Sequence, residues 1–239
     1  MKTKRLILTI FFLSLLPVLN AQELQEVLER HFHAVGQWEL MRKKTHSIKA
    51  TVEQMGMEIP MSIQIKRPDK FRMEMEMQGQ KMIQAYDGEE GWYLIPWQDD
   101  EPKELKGNEL KQAMEQANME GELFNYATKG SEAILEGKVE IDGASMFNIK
   151  LTEMNGTSKN YYIDASDYLV KQVTAIIKTQ GNDVYYEQNL SDYKYVDGVT
   201  LPYKIESQTV MGSSVIHFTE IKFNEDLDDS IFEKPSINN

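Results

Sequence analysis

The 239-residue chain has no cysteine and only 7 prolines, and its 26 basic residues are outnumbered by 38 acidic ones. Each shortage excludes something. Without cysteine there is no disulfide and no thiolate for catalysis or metal binding, so stability must come from core burial. A net charge of −12 makes a poor surface for nucleic acid or an anionic membrane, and no nucleic-acid partner is expected. Beyond the first twenty residues no apolar run reaches the length of a membrane-spanning helix. An H-E-x-x-H pair, an EF-hand loop, a G-x-S-x-G elbow and a Walker loop are all missing. The four histidines are His31, His33, His46 and His217, and His31 and His33, two apart, do not share a helical face. Asn224, Glu225, Asp226, Asp228 and Asp229 read as a solvated acidic turn rather than a calcium loop. Asn155-Gly156-Thr157 fits a glycosylation sequon and reads as a hairpin turn. Trp92, Tyr93, Trp97 and Tyr126 could stack on a sugar, but core packing accounts for them as well. The expectation is therefore a protein that is not an enzyme, with no catalytic residue, no metal and no cofactor.

At the start, Lys2, Lys4 and Arg5 precede a short apolar run over residues 6–19, and Leu19-Asn20-Ala21 suits a signal peptidase. Residues 1–21 are expected to be a cleaved signal peptide and 22–239 a single soluble, exported domain. Removing three basic residues with the leader takes the net charge to −15.

The most patterned stretch is residues 57–97. Met57, Ile59, Met61, Ile63 and Ile65 alternate with Glu58, Pro60, Ser62, Gln64 and Lys66. After a Lys66-Arg67-Pro68-Asp69-Lys70 corner, Phe71, Met73, Met75 and Met77 alternate with Arg72, Glu74, Glu76 and Gln78. Strict alternation marks strands with one apolar and one wet face. Strand faces usually carry branched or aromatic residues, yet methionine dominates here. Its unbranched, polarizable side chain suits a surface that must fit variable apolar partners. Two readings remain open: an ordinary core, or the wall of a ligand cavity.

The rest reads in order. Leu24, Val27, Leu28, Phe32 and Val35 share a helical face over residues 23–35, with Gly36 as the stop. Thr45–Gln54 is a strand, and Asp87-Gly88 is a hairpin signal before Gly91-Trp92-Tyr93-Leu94-Ile95-Pro96-Trp97. Between residues 104 and 129 the period turns helical, with Leu110, Ala113, Met114 and Ala117 in one stripe and a second short helix around Leu123, Tyr126 and Ala127. Strands separated by turn signals follow to the end, about ten or eleven in all by rough count. The fold class is mainly β with α: a curved antiparallel sheet forming an open half-barrel covered by helices.

Residues 65–71, Ile-Lys-Arg-Pro-Asp-Lys-Phe, then Asp87-Gly88, Trp92 and Pro96-Trp97, resemble the LolA-type carriers of outer-membrane lipoproteins. Tyr161 to Asp164, Leu169, Val196-Asp197-Gly198-Val199, Leu201-Pro202, Phe232 and Pro235 are similar to a subgroup of outer-membrane lipoprotein-sorting proteins. The resemblance implies a LolA-like half-barrel whose apolar cavity takes acyl chains, a helical lid at about 104–129, and a periplasmic location. It implies acylated lipoproteins or other lipids as ligands, an inner-membrane ABC transporter complex and an outer-membrane acceptor as partners, and a monomer. The cavity wall would be Met57, Ile59, Met61, Ile63, Phe71, Met73, Met75, Met77, Trp92 and Leu94, with Leu110 and Met114 from the lid. Arg67, at the family's Lys-Arg-Pro position, would hydrogen-bond helix backbone and latch the lid. A lipid- or lipoprotein-sensing module of the envelope, using the same fold without transport, is the alternative.

Overall fold

The structure, a computed structural model, describes residues 16–179, 182–210 and 212–235. The expected leader lies mostly outside these residues. The chain runs α1 (Leu16–Val35), α2 (Gln37–Arg42), β1 (Thr45–Gln54), β2 (Met57–Lys66), β3 (Lys70–Met77), β4 (Gln80–Tyr86), β5 (Gly91–Leu94), β6 (Lys103–Glu104) and α3 (Gly107–Gln116). A 3-10 turn at Tyr126–Lys129 leads into β7 (Glu132–Ile141), β8 (Ala144–Thr152), β9 (Ser158–Asp164), β10 (Val170–Thr179), β11 (Asn182–Val196), β12 (Val199–Thr209) and β13 (Gly212–Phe223). A second 3-10 turn, Asp229–Ile231, follows. The strands form one open sheet in the order β6-β5-β4-β3-β2-β1-β13-β12-β11-β10-β9-β8-β7. Among the described residues, only β1–β13 brings sequence-distant strands together; the other neighbours are consecutive, as a meander requires.

The thirteen strands among the described residues exceed the ten or eleven expected. The two-residue β6 is polar and has no alternation to read. The strand expected to reach Trp97 stops at Leu94, where Gln98 and Asp99 N–H groups bond the Ile95 carbonyl in a turn. The short second helix of the lid is a 3-10 turn closed by Gly130.

Two compact units are distinguished along the chain. One takes in the first helix and Glu122–Gln188; the other comprises Gly36–Gly121 and Asn189–Asn239. In the first, Leu24, Val27 and Leu28 give α1 a buried face, and α1 packs along β7. Phe147, Ile149, Leu151 and Ile163 are buried on the strands. His31 belongs to the buried face too, its Nδ1 2.8 Å from the Tyr168 carbonyl, and burial lowers its pKa.

In the second unit, α2 buries Leu40 against Val199, Ile221 and Phe223. His46 on β1 lies opposite Ile65 and Phe223 and stacks on the Phe223 ring, centroids 4.6 Å apart. Its Nε2 finds no partner among the described residues. Burial lowers its pKa from 6.5 to about 4. A buried neutral histidine contributes stability that is present above the unfolded pKa and lost as pH falls toward the folded one. Between pH 6.5 and about 4 the wild type should therefore lose about 3 kcal/mol relative to His46→Phe. Urea unfolding of both proteins across that window checks this, and parallel pH profiles would show that His46 is not the group responsible.

Candidate functional site

The site lies in the second unit, on one face of β1–β5 and β13. Cross-strand register decides which residues share that face. Met61 lies opposite Met75, Ile63 opposite Met73 and Ile65 opposite Phe71. On the next strand Phe71 faces Tyr86, Met73 faces Gln84 and Met75 faces Met82. Gln84 in turn faces Tyr93. Side chains directly opposite across an antiparallel pair point the same way, so these residues form one continuous apolar surface with Ala50, Val52, Ile59, Ile216 and Phe218. One end is covered: α3 sets Ala113 and Leu110 against Ile65, Phe71 and Tyr86, with Leu105 and Ala117 beside them. Gly91 permits this cover, because a Cβ there would stand 2.8 Å from Leu110 and 3.0 Å from Leu105. Toward Met73, Met75 and Met77 the surface is only half-buried.

A recess of about 380 Å³ opens where this face meets α3. Met82, Gln84 and Tyr93 line it from the sheet, and Leu105, Glu109 and Gln112 from the α3 side. The size falls in the ordinary range of ligand sites, and the lining mixes apolar surface with a few amide and carboxylate groups.

Of the expected wall residues, Ile59, Met61 and Phe71 are buried in this face, while Ile63, Met73, Met75 and Met77 are half-buried there. Met57 continues the same face but is 49% exposed at the strand's end. Leu110 packs on it. Met114 does not: it is half exposed, because the buried stripe of α3 runs through Ala113 and Ala117. Trp92 and Leu94 are corrected as well. Trp92 lies opposite Ala85, and Leu94 opposite Ile83, so both point to the other face of the sheet. Trp92 is fully buried there, its Nε1 donating to the Phe232 carbonyl at 2.8 Å. The Arg72 guanidinium covers its ring and donates to the Ile231 carbonyl, so this indole anchors the 3-10 turn at Asp229–Ile231. Tyr93, read earlier only as an aromatic, is the residue of β5 on the wall. Met82 was not singled out, because Met82-Ile83 gives β4 two adjacent apolar residues and no visible parity.

On the opposite face Arg72 and Lys81 both grip Glu74, at 2.7 and 2.9 Å. Burial works against that carboxylate, but the bonds from Lys81 and Arg72 outweigh it and hold its pKa below the usual value. The wet face of β3 is thus tied into ion pairs while its other face is thioether.

Arg67 sits at the corner between β2 and β3. Its Nε donates to the Lys43 carbonyl at 2.9 Å and its Nη2 reaches the Leu40 carbonyl at 3.4 Å. Both carbonyls lie at the C-terminal end of α2, where the Leu40 carbonyl also accepts the Lys43 N–H at 3.1 Å. Its Nη1 pairs with Glu120 at 2.9 Å, in the segment after α3. Gln37, at the start of α2, donates to the Glu120 carbonyl at 3.1 Å. Arg67 thereby joins α2 to the segment following α3, with both partners mostly shielded from solvent.

The chain matches no family model, and no curated protein matches it. Solved structures do. A LolA superfamily protein from Nitrosomonas europaea superposes with a TM-score of 0.61 at 15% identity, over 88% of this chain and 97% of that one. The fold is LolA-like. A DUF1329 family protein from Desulfovibrio piger gives a TM-score of 0.63 at 12% identity, over 87% of this chain and 97% of its own. A domain from Vibrio parahaemolyticus described as outer membrane lipoprotein-sorting gives 0.58 at 13% identity, over 87% and 95%. At these identities what is shared with the LolA-like proteins is the fold. No helix among the described residues is long and apolar enough to cross a membrane, and no group of three His, Cys, Asp or Glu side chains among them could hold a metal ion.

Proposed function

We propose that this LolA-like chain is an exported carrier that shelters acyl chains, of lipoproteins or of other lipids, on the methionine-rich face of its second unit. The observation that carries this reading is the continuity of that face: closed by α3 at one end, half-open along Met73, Met75 and Met77 at the other. At about 0.8 kcal/mol per buried CH₂, an acyl chain in water costs on the order of 10 kcal/mol, which a carrier between membranes must avoid. Binding alone meets that need, and nothing in the site has to be a nucleophile or a base. The lipoprotein-sorting description of the Vibrio parahaemolyticus domain favours lipoproteins as cargo. An inner-membrane transporter complex would then load the carrier and an outer-membrane acceptor relieve it.

The test is mass spectrometry of material extracted from the protein purified from its native envelope. Acylated peptides are the expected finding; bound phospholipid would redirect the reading to another lipid trade, and a protein carrying no lipid would overturn it.

In this reading Arg67 is the latch, because it joins α2 to the chain beyond α3. Arg67→Leu should remove charge-assisted bonds of roughly 1.5–3 kcal/mol, shifting the closed and open states by about 10- to 150-fold. The variant should fold, take up lipid and fail to pass it on. Transfer kinetics equal to the wild type's would reduce Arg67 to a structural clamp.

A further inference from the structure

The apolar face of β2–β4 is rich in thioether sulfur. Met61, Met75 and Met82 form a row across three adjacent strands, each directly opposite the next. Met73 and Met77 flank Met75 at two residues on either side, on the same face. On β1 and β13 the same face is built from Ile48, Ala50, Val52, Ile216, Phe218 and Ile221 instead. The thioethers are therefore concentrated at one place rather than spread through the core. We infer that the Met61–Met75–Met82 row, completed by Met73 or Met77, is a binding site for a soft monovalent metal ion, Cu(I).

Geometry allows it. Neighbouring strands stand about 4.8 Å apart, and same-face neighbours along a strand about 7 Å. A methionine side chain has three rotatable bonds and can lean over either distance. The sulfurs of the row can thus converge above Met75, with a fourth from the flanking pair. The chemistry is selective. Thioether is a soft ligand that favours Cu(I), while imidazole suits zinc and carboxylate suits calcium or magnesium. On this face of β2–β4 the register places no histidine, carboxylate or ammonium beside the row, only Met, Ile, Phe, Tyr86 and two glutamines, Gln80 and Gln84. Met61 is buried, the other four are half-buried, and Met82 borders the open recess, which gives an ion a way in. A chain of net charge −12 attracts a cation. A thioether also holds metal without losing a proton, so affinity should not follow pH as it does for cysteine or histidine ligands. The assignment does not depend on an acyl chain meeting the same face.

The experiment is anaerobic titration of the full chain with Cu(I) against a colorimetric Cu(I) chelator, with Ag(I) as a redox-inert probe and Zn(II) as the control. The wild type should withdraw Cu(I) from the chelator, bind Ag(I) and ignore Zn(II), with affinity flat from about pH 6 to 8. The X-ray absorption of the copper complex should show sulfur neighbours and no imidazole. Met61→Leu/Met75→Leu/Met82→Leu should weaken Cu(I) by about 100-fold, since loss of a ligand costs at least what loss of a supporting partner does. Those swaps conserve volume, so the fold should persist, and urea unfolding checks it. Single Met75→Leu gives the same direction if the triple variant is unstable. No uptake from the chelator, imidazole in the absorption spectrum, or an unchanged Cu(I) affinity in the Leu variants would overturn the site. A wild-type protein that takes up Cu(I) but binds no lipid-like dye would count against the lipid reading alone.

Discussion

Met75→Glu should leave the protein folded and remove most of its affinity for a lipid-like fluorescent dye. Met75 lies between Met61 and Met82 on the apolar face, and it is half-buried rather than sealed. A carboxylate there can keep contact with water in the free protein. A bound acyl chain or dye would strip that water away, at about 3 kcal/mol or roughly 100-fold in affinity. In a closed core the same change would bury an unpaired charge and unfold the domain or nearly so. Urea unfolding and dye titration of one sample separate the cases. The companion Met73→Leu/Met75→Leu, of nearly equal volume, should cost less than about 1.5 kcal/mol per site and keep dye binding. A folded Met75→Glu protein that binds dye as well as the wild type would falsify the cavity assignment, and an unfolded one would favour a plain core.

Gly36→Ala should be the most damaging single methyl in the second unit. Gly36 caps α2 in the left-handed region, φ 70° and ψ 38°. A Cβ there would stand 2.0 Å from the Gly198 carbonyl oxygen, in the turn between β11 and β12. That neighbour is backbone, and it is held by the Lys43 ammonium on the Asp197 carbonyl at 2.6 Å, so it has little room to yield. Left-handed strain of about 1–3 kcal/mol adds to an overpacking cost of similar size. A loss of roughly 3–5 kcal/mol is expected from urea unfolding. Because α2 offers Arg67 its carbonyl acceptors, the surviving folded fraction should also show the faulty lipid release predicted for Arg67→Leu. A variant as stable as the wild type would mean that α2 can shift off the turn.

The alternation of β2 and β3 was legible because each strand has a single apolar face: odd positions from Met57 to Ile65 and from Phe71 to Met77 are apolar, and the positions between them are polar or proline. That is enough to name most of the wall without knowing what it faces. The α3 stripe was legible for Ala113 and Ala117 and misleading for Met114, because a ten-residue helix buries a narrower arc than its apolar pattern offers.

The sequence by itself determined that this is an antiparallel meander with methionine concentrated on one side of two strands, acidic and without cysteine. Those properties follow from local periodicity, turn residues and composition. Only the tertiary structure decided which apolar residues belong together. Gly91-Trp92-Tyr93-Leu94 is apolar on both sides, so nothing local says whether Trp92 or Tyr93 joins the wall; pairing with β4 puts Tyr93 there and gives Trp92 to the carbonyl of Phe232. Met82 likewise joins Met61 and Met75 through register alone. Arg67 could be placed at a corner by its Pro68 neighbour, but its partners are 24, 27 and 53 residues away. Parity within a strand is local, whereas register and long-range hydrogen bonds are fixed only when distant segments pack, and the site is made of the latter.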